Sequence, residues 1–263
     1  MLITVVTVAW NAGATIAATC ASIDAQFGCE VEHLVIDGAS TDDTLRVLAG
    51  LPQPHRTVVS EPDRGLYDAM NKGFARARGE VVAFLNADDR YSDPSVLASV
   101  ARAFEVTGAD AVYTDIDMVE QAPPHHVQRR WLTGRPARWK ALLGWHMPHP
   151  GLFVRRETLA ALAPFDTRLR IAADYDLMLR LLLRRGIRLH YLPITAVDMT
   201  VGGLSTSGLQ ASWRGYRESA RALSRHLGPA GYLVAVVKPA WKLPQWWLGW
   251  RSRRADDGRG GRS

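Results

Sequence analysis

Cysteine is almost missing from this chain: two in 263 residues, Cys20 and Cys29, both within the first repeating unit. That excludes a disulfide framework and a cysteine-based zinc site, and fits a reducing compartment. Long apolar runs are missing too. The longest late stretch, 232–250, is interrupted by Lys238, Pro239, Lys242 and Pro244, which suits an interfacial segment better than a span in hydrocarbon. The opening MLITVVTVAWNAG has no basic lead and meets Asn11 and Gly13 early, so no signal peptide is expected. No repeat of solenoid length is present. No Ser-His-Asp or Cys-His signature is recognisable, so covalent nucleophilic catalysis is not expected. With 47% hydrophobic and 22% charged residues, what remains is an ordinary globular composition. A net charge of +6 and a pI near 9.6 point to a polyanionic partner: nucleic acid, anionic lipid or a phosphorylated small molecule.

The chain opens with repeated strand-turn-helix units. Leu2 to Val8 is a β-branched run followed by a helical stretch from 14 to 26. His33 to Ile36 leads through DGASTDDT to a helix over 45–49, and Thr57 to Ser60 through EPDRG to a helix over 66–77, stopped at Gly79. Val81 to Leu85 is a fully apolar strand ending at Asn86-Ala87-Asp88-Asp89. Tandem βα units predict a doubly wound α/β domain, whose ligands gather at the carboxyl ends of the strands. Asn11, Asp37, Glu61, Asp88 and Asp89 fall at those ends, with Asp115 and Asp117 expected after a strand over 111–113. Like charges crowded on one rim call for a cation, so a divalent metal with oxygen ligands is expected. Residues 120–150 lack periodicity, as a substrate-covering insertion would. Leu177 to Arg185 reads as a helix preceded by AADYD, His190 to Pro193 as one more strand, and 211–226 as a charged helix.

The run SEPDRGLYDAMNKGFARARGEVVAFLNADD (60–89), with VTVAWNAG, VIDGASTDDT, HPGLFVRRE (149–157), ADYD (173–176) and GGLS (202–205), resembles the family 2 glycosyltransferases of the inverting GT-A class. The resemblance covers about four fifths of the chain and omits the tail. It implies a Rossmann-like, mostly parallel central sheet flanked by helices. The expected organisation is a catalytic domain over 1–207 and a basic, aromatic helical segment over 208–263. It also implies a nucleotide-diphosphate sugar donor, expected to be a UDP sugar, a glycan or lipid-linked acceptor in surface-polysaccharide synthesis, and Mg²⁺ or Mn²⁺.

The resemblance further implies site residues. Thr7, Asn11, Asp37, Arg64, Asp68, Lys72, Asn86 and Ala87 would contact the nucleotide, and Asp88 and Asp89 the metal. Asp174 would be the general base, with His149, Asp115 and Asp176 near donor or acceptor. Two positions depart from the family pattern: Asn86 stands where the first acid of D-x-D is expected, and Ala173 where a glutamate precedes the base. Other readings compete at several of these residues. Asp37 also suits an Asx turn with Gly38, Asp68 and Lys72 an intrahelical ion pair, and Asp174 or Asp176 a helix-start carboxylate. His149 also suits a buried structural histidine, and zinc between His146 and His149 is disfavoured by Pro148 and Pro150.

In the tail, Trp241, Trp246, Trp247 and Trp250 interleave with Lys238, Lys242, Arg251, Arg253 and Arg254. That is the composition of a segment at an anionic membrane surface, and equally of a packed helix with a basic end. No nucleic-acid motif accompanies it, so no nucleic-acid partner is expected. The expected location is cytoplasmic, peripheral on the inner face of the membrane. Two other functions stand against the enzyme: a noncatalytic nucleotide-sugar-binding scaffold, and a peripheral protein binding polyanions through its tail.

Overall fold

The computed structural model describes residues 1–51, 53–123, 125–136, 145–201 and 209–228. The GGLS turn and the basic aromatic tail lie outside the described residues. Among the described residues one sheet contains nine strands: β1 (Leu2–Ala9), β2 (Glu30–Asp37), β3 (Arg56–Ser60), β4 (Val81–Phe84), β5 (Arg90–Tyr91), β6 (Ala111–Val119), β7 (Val127–Trp131), β8 (Leu152–Arg155) and β9 (Leu189–Thr200). Their order is β3-β2-β1-β4-β8-β6-β9-β5, with β7 pairing β6. The helices are α1 (Ile16–Asp24), α2 (Thr44–Ala49), α3 (Leu66–Arg76), α4 (Val96–Thr107), α5 (Arg156–Leu162), α6 (Ala173–Leu183) and α7 (Leu209–Leu227). None of them is long and apolar enough to cross a membrane.

The first four strands are mutually parallel, so the ends of β1 to β4 share one rim. β8 runs antiparallel to β4 and β6, which returns β6 and β9 to the direction of β1. The sheet is therefore mostly parallel, with β5, β7 and β8 reversed.

Burial explains why these sequences are strands. β1 is buried throughout except at its first residue, as a central strand covered on both faces must be. Its side chains alternate: Val6 and Val8 join Ile36, Met70 and Phe84 under α3 and α6, while Ile3 and Val5 join Ile23, Leu97 and Phe104 under α1 and α4. Gly73 lets α3 lie close on the sheet, since a Cβ there would come within 2.2 Å of Val6 Cγ1.

Two expectations need correction. Asp115 and Asp117 do not follow a strand; β6 continues to Val119 and carries both inside it, buried. ADYD does not precede a helix but forms the first turn of α6.

A polar seam runs beneath the rim. Arg56 Nε donates to His33 Nδ1 (3.0 Å), which leaves His33 Nε2 to donate to Thr7 Oγ1 (3.0 Å). Burial, with the Arg56 and His55 charges, pushes His33 down to about 3. Its ordinary value is 6.5, so below that pH the unfolded chain binds a proton that the folded chain refuses. Stability is therefore expected to fall by about 1.4 kcal/mol per pH unit from pH 6.5 toward 3 through this residue alone. Urea unfolding at stepped pH would check it. A His33→Gln chain should show the shallower slope, and equal slopes would remove His33 as the cause.

Candidate active site

The rim is built by loops that fasten to each other. Asn11 follows β1 at a positive φ of 51°, a conformation asparagine adopts more readily than most residues. Its N–H donates to Ser40 Oγ (2.8 Å), and its Oδ1 accepts from Thr41 N (2.9 Å). Ala12 and Gly13 donate to Thr44 Oγ1 and Asp42 Oδ2. The β1 and β2 loops thus form one fixed ledge. Asn11 serves as its fastener.

Asp37, the last residue of β2, is completely buried. Its carboxylate accepts from Ser40 N (3.0 Å), Ser40 Oγ and Ser60 Oγ (2.6 Å). It shapes the loop from below and presents nothing to a ligand in this conformation. Thr7 is likewise sealed, with 0% exposure and its hydroxyl on His33. Strand alternation puts it on the same face as Ile3 and Val5.

What the ledge does expose is Trp10, two thirds accessible at the end of β1. Sequence reasoning passed over it, although a tryptophan directly after a buried strand was the available signal. Beside it Gly38 is packed closely against Asp63. A Cβ at 38 would lie 2.4 Å from Asp63 Oδ2 and 3.5 Å from Trp10 Cδ1.

At the start of α3 the ion-pair reading of Asp68 is realised, with a different main partner. Asp68 accepts from Arg64 N (3.0 Å) and Arg64 Nη2 (3.1 Å), while Lys72 Nζ lies 3.9 Å away. Lys72 donates to Pro62 O (2.6 Å) and pairs with Glu61 at 3.3 Å. Arg64 remains largely exposed where α3 points its positive end at the rim.

The β4 loop holds the least compensated oxygens. Asn86 Nδ2 donates to Asp89 Oδ2 (3.2 Å), whereas Asn86 Oδ1 is buried without a partner. Asp88 is half-buried, and burial pushes its carboxyl above the ordinary range. Asp89 is turned inward, accepting from Thr200 N (3.0 Å) while its carbonyl accepts from Thr19 Oγ1 (2.7 Å). Burial and the Asp88 charge raise it well above the ordinary value. Asp89 therefore braces the loop, and Ala87 is buried beneath it. Among the described residues no group of three metal-ligating side chains is preassembled. The unsatisfied Asn86 oxygen and the underpaired Asp88 carboxylate nonetheless fit a hard cation that takes its other ligands from phosphate and water.

An aromatic layer links this loop to α6. Phe84, which ends β4, meets Phe165 edge-on (5.0 Å) and His149 (5.7 Å), and Phe165 stacks on Tyr67 (5.4 Å). Both ring nitrogens of His149 are buried without a partner, and burial lowers its pKa against the pull of Asp174. Asn71 clamps the Phe165 backbone from both sides, Nδ2 donating to its O and Oδ1 accepting from its N. The Tyr67 hydroxyl reaches Ile171 O (2.8 Å) and Asp174 Oδ1 (3.1 Å). Burial, then the Asp174 charge, keeps this phenol protonated and hence a donor. Asp174 Oδ1 also accepts from Tyr175 N (2.7 Å).

The competing acids are engaged elsewhere. Asp176 lies about 200° around α6 from Asp174, paired with Arg180 (2.9 Å) and His226 (3.2 Å) against α7. Asp115 accepts from Thr133 N (2.6 Å) and Tyr191 OH (2.7 Å). Each carboxylate thus satisfies buried donors, although the register sets Asp115 level with Asn86 at the end of β4.

A rim of four parallel strands, acidic at the end of β4 and continued through one reversed strand, β8, to β6 and β9, is the α/β sheet of a GT-A fold. Comparison with known proteins makes this specific. Residues 4–162 match the family described as Glycosyl transferase family 2. A PGL/p-HBAD biosynthesis glycosyltransferase of Mycobacterium bovis (strain BCG / Pasteur 1173P2) is 30% identical over 203 residues, 75% of this chain and 76% of its own. Glycosyltransferase MT1564 of Mycobacterium tuberculosis (strain CDC 1551 / Oshkosh) is 32% identical over 187 residues, 68% of each chain.

Among solved structures, S. aureus TarS 1-349 in complex with UDP-GlcNAc superposes with a TM-score of 0.67 at 16% identity, over 95% of this chain and 79% of that one. This chain spans 39% of the longer TarS structure. Mannosyltransferase PcManGT from Pyrobaculum calidifontis, in complex with GDP-Man and Mn²⁺, gives 0.63 at 18% identity, over 96% and 75%. The fold is GT-A, and the chain belongs to glycosyltransferase family 2.

Proposed function

We propose that this glycosyltransferase inverts the anomeric centre of a nucleotide-diphosphate sugar, with UDP as the nucleotide, and passes the sugar to a hydroxyl of a glycan or lipid-linked acceptor. The observation that carries this reading is the tether between α3 and α6. Tyr67, from the segment that also supplies Arg64, holds Asp174 over the aromatic layer that ends at the β4 loop.

Each part rests on local chemistry. Trp10 offers an exposed aromatic face for the base. Arg64 and the start of α3 favour the diphosphate charge. Asn86 Oδ1 and Asp88 would hold Mg²⁺ or Mn²⁺, which when bound neutralises charge growing on the leaving diphosphate. Asp174 Oδ1 is fixed by Tyr67 and Tyr175, so Oδ2 takes the acceptor proton. As that proton leaves, the acceptor oxygen bonds to the anomeric carbon from one face. The bond to the diphosphate oxygen breaks on the other, and the nucleoside diphosphate departs with the electron pair. His149 lies under this path as a neutral ring. The catalytic unit is taken as 1–207, with 208–263 as an accessory segment.

The test is binding and hydrolysis across UDP, GDP and TDP sugars, with Mn²⁺, with Mg²⁺ and with EDTA. One donor selected in a metal-dependent way is the expected result, and no donor bound under any condition would overturn the reading. In the same assay Trp10→Ala should weaken donor binding by roughly tenfold or more, the scale of one base-aromatic stack. Undiminished affinity would remove Trp10 from the site.

A further inference from the structure

We infer that the outer face of α7 is a docking surface for an anionic lipid bilayer. The chain's basic excess is not spread evenly. Residues 209–263 hold eleven of the 32 Lys and Arg but three of the 26 acids, so the first 208 residues carry 21 basic against 23 acidic side chains. All of the positive net charge therefore comes from α7 and the residues C-terminal to it.

On α7 that charge is ordered. Arg214, Arg217, Arg221 and Arg225 recur at spacings of three and four and are all exposed. At 100° per residue they fall within about 80° of the helix circumference, in a stripe about 17 Å long. Arg225 pairs with Asp166 (2.7 Å), which Arg168 also holds. Among the described residues no ion pair engages Arg214, Arg217 or Arg221. A straight row of unneutralised guanidinium groups complements a plane of anionic headgroups. Lipid is favoured over nucleic acid because the segment that continues from the helix interleaves four tryptophans with Lys and Arg, an interfacial composition.

The inner face of the same helix reaches the reaction centre. Glu218, buried on α7, accepts from Ile171 N (2.7 Å) and Ala172 N (3.1 Å), just ahead of Asp174. A bilayer against the arginine stripe would thus hold the Asp174 end of the enzyme at the membrane, where a lipid-linked acceptor sits.

The experiment is cosedimentation of the full chain with phosphatidylcholine vesicles, with and without phosphatidylglycerol, at low and high salt. Binding is expected only to the anionic vesicles, and to fade as salt screens the contact. Each arginine at an anionic surface strengthens partition about fivefold, so replacing Arg214, Arg217 and Arg221 together by Gln should weaken it on the order of 10². Replacing the same three by Lys keeps the charge and should keep the binding. Thermal melting checks the fold, and if the triple Gln chain melts early, Arg217→Gln alone carries the test with its smaller loss. The inference is overturned if the Gln variants partition like the parent, if neutral vesicles bind equally, or if duplex DNA is bound while anionic vesicles are not. Vesicle binding needs no donor, so its failure leaves the glycosyltransferase reading standing, and the reverse.

Discussion

Asp174→Asn should abolish sugar transfer while leaving donor binding and melting temperature unchanged. The substitution keeps an oxygen at Oδ1, where Tyr67 OH (3.1 Å) and Tyr175 N (2.7 Å) donate, and alters only the atom that must accept a proton. An amide cannot take that proton, so kcat is expected to fall on the order of 10³, within the range for losing a general base. The fall should appear in kcat and not in donor KM, because the interaction is made in the transition state. Tyr67→Phe should give a smaller loss of the same kind, since it frees the carboxylate to turn without removing it. Asp176→Asn is the contrasting case. It breaks buried pairs with Arg180 and His226, so it should lower the melting temperature and spare turnover in the folded fraction. Normal kcat in Asp174→Asn, or lost kcat in a fully folded Asp176→Asn chain, would exchange their roles.

Much of the fold could be read from the chain because its first half is locally consistent. β1 and β4 are apolar, almost wholly buried runs between polar turns, and such runs announce themselves without tertiary information, whereas in β2 only the stretch from His33 to Ile36 does. β6 and β9 did not. Asp115 and Asp117 look like the end of a strand, yet they are buried within it because Asp115 is satisfied by Thr133 and Tyr191, 18 and 76 positions away. Pro193 looks like a terminator for β9. The strand runs past it because its pairing with β6 skips from Tyr191 to Thr195 across an irregularity, where a missing N–H is tolerated.

The site divides along the same line. The placement of Asp88 after a buried strand, and of Arg64 and Asp174 at helix starts, was legible, and the roles proposed for them rest on that placement. Tyr67 was not legible, because its partner lies 107 residues away. Asp37, Asp89, Asp115 and Asp176 share one physical property: each is buried and accepts from at least one donor far off in the chain, Ser60, Thr200, Thr133 and His226 respectively. Burial with such hydrogen bonds fixes the carboxylate in place.

That contrast sets the other large expected effect, on Asp88. Its carboxylate is half-buried, and no ion pair among the described residues engages it, while Asn86 Oδ1 beside it lacks a donor. A chain that keeps two oxygens this poorly compensated is less stable for it unless something positive arrives. Asp88→Ala should therefore leave the metal-free chain as stable as the parent, or more so, while donor affinity in Mn²⁺ falls on the order of 10² to the level seen in EDTA. In the proposed site the donor's phosphates would complete the coordination that Asn86 and Asp88 begin. Mn²⁺ alone should then bind weakly, and each ligand should tighten the other by the same factor, as linkage requires. Calorimetric titration of donor with and without Mn²⁺, and of Mn²⁺ with and without donor, measures that factor twice. In Asp88→Ala it should collapse to one, and a factor that survives the substitution would move the cation away from the β4 loop.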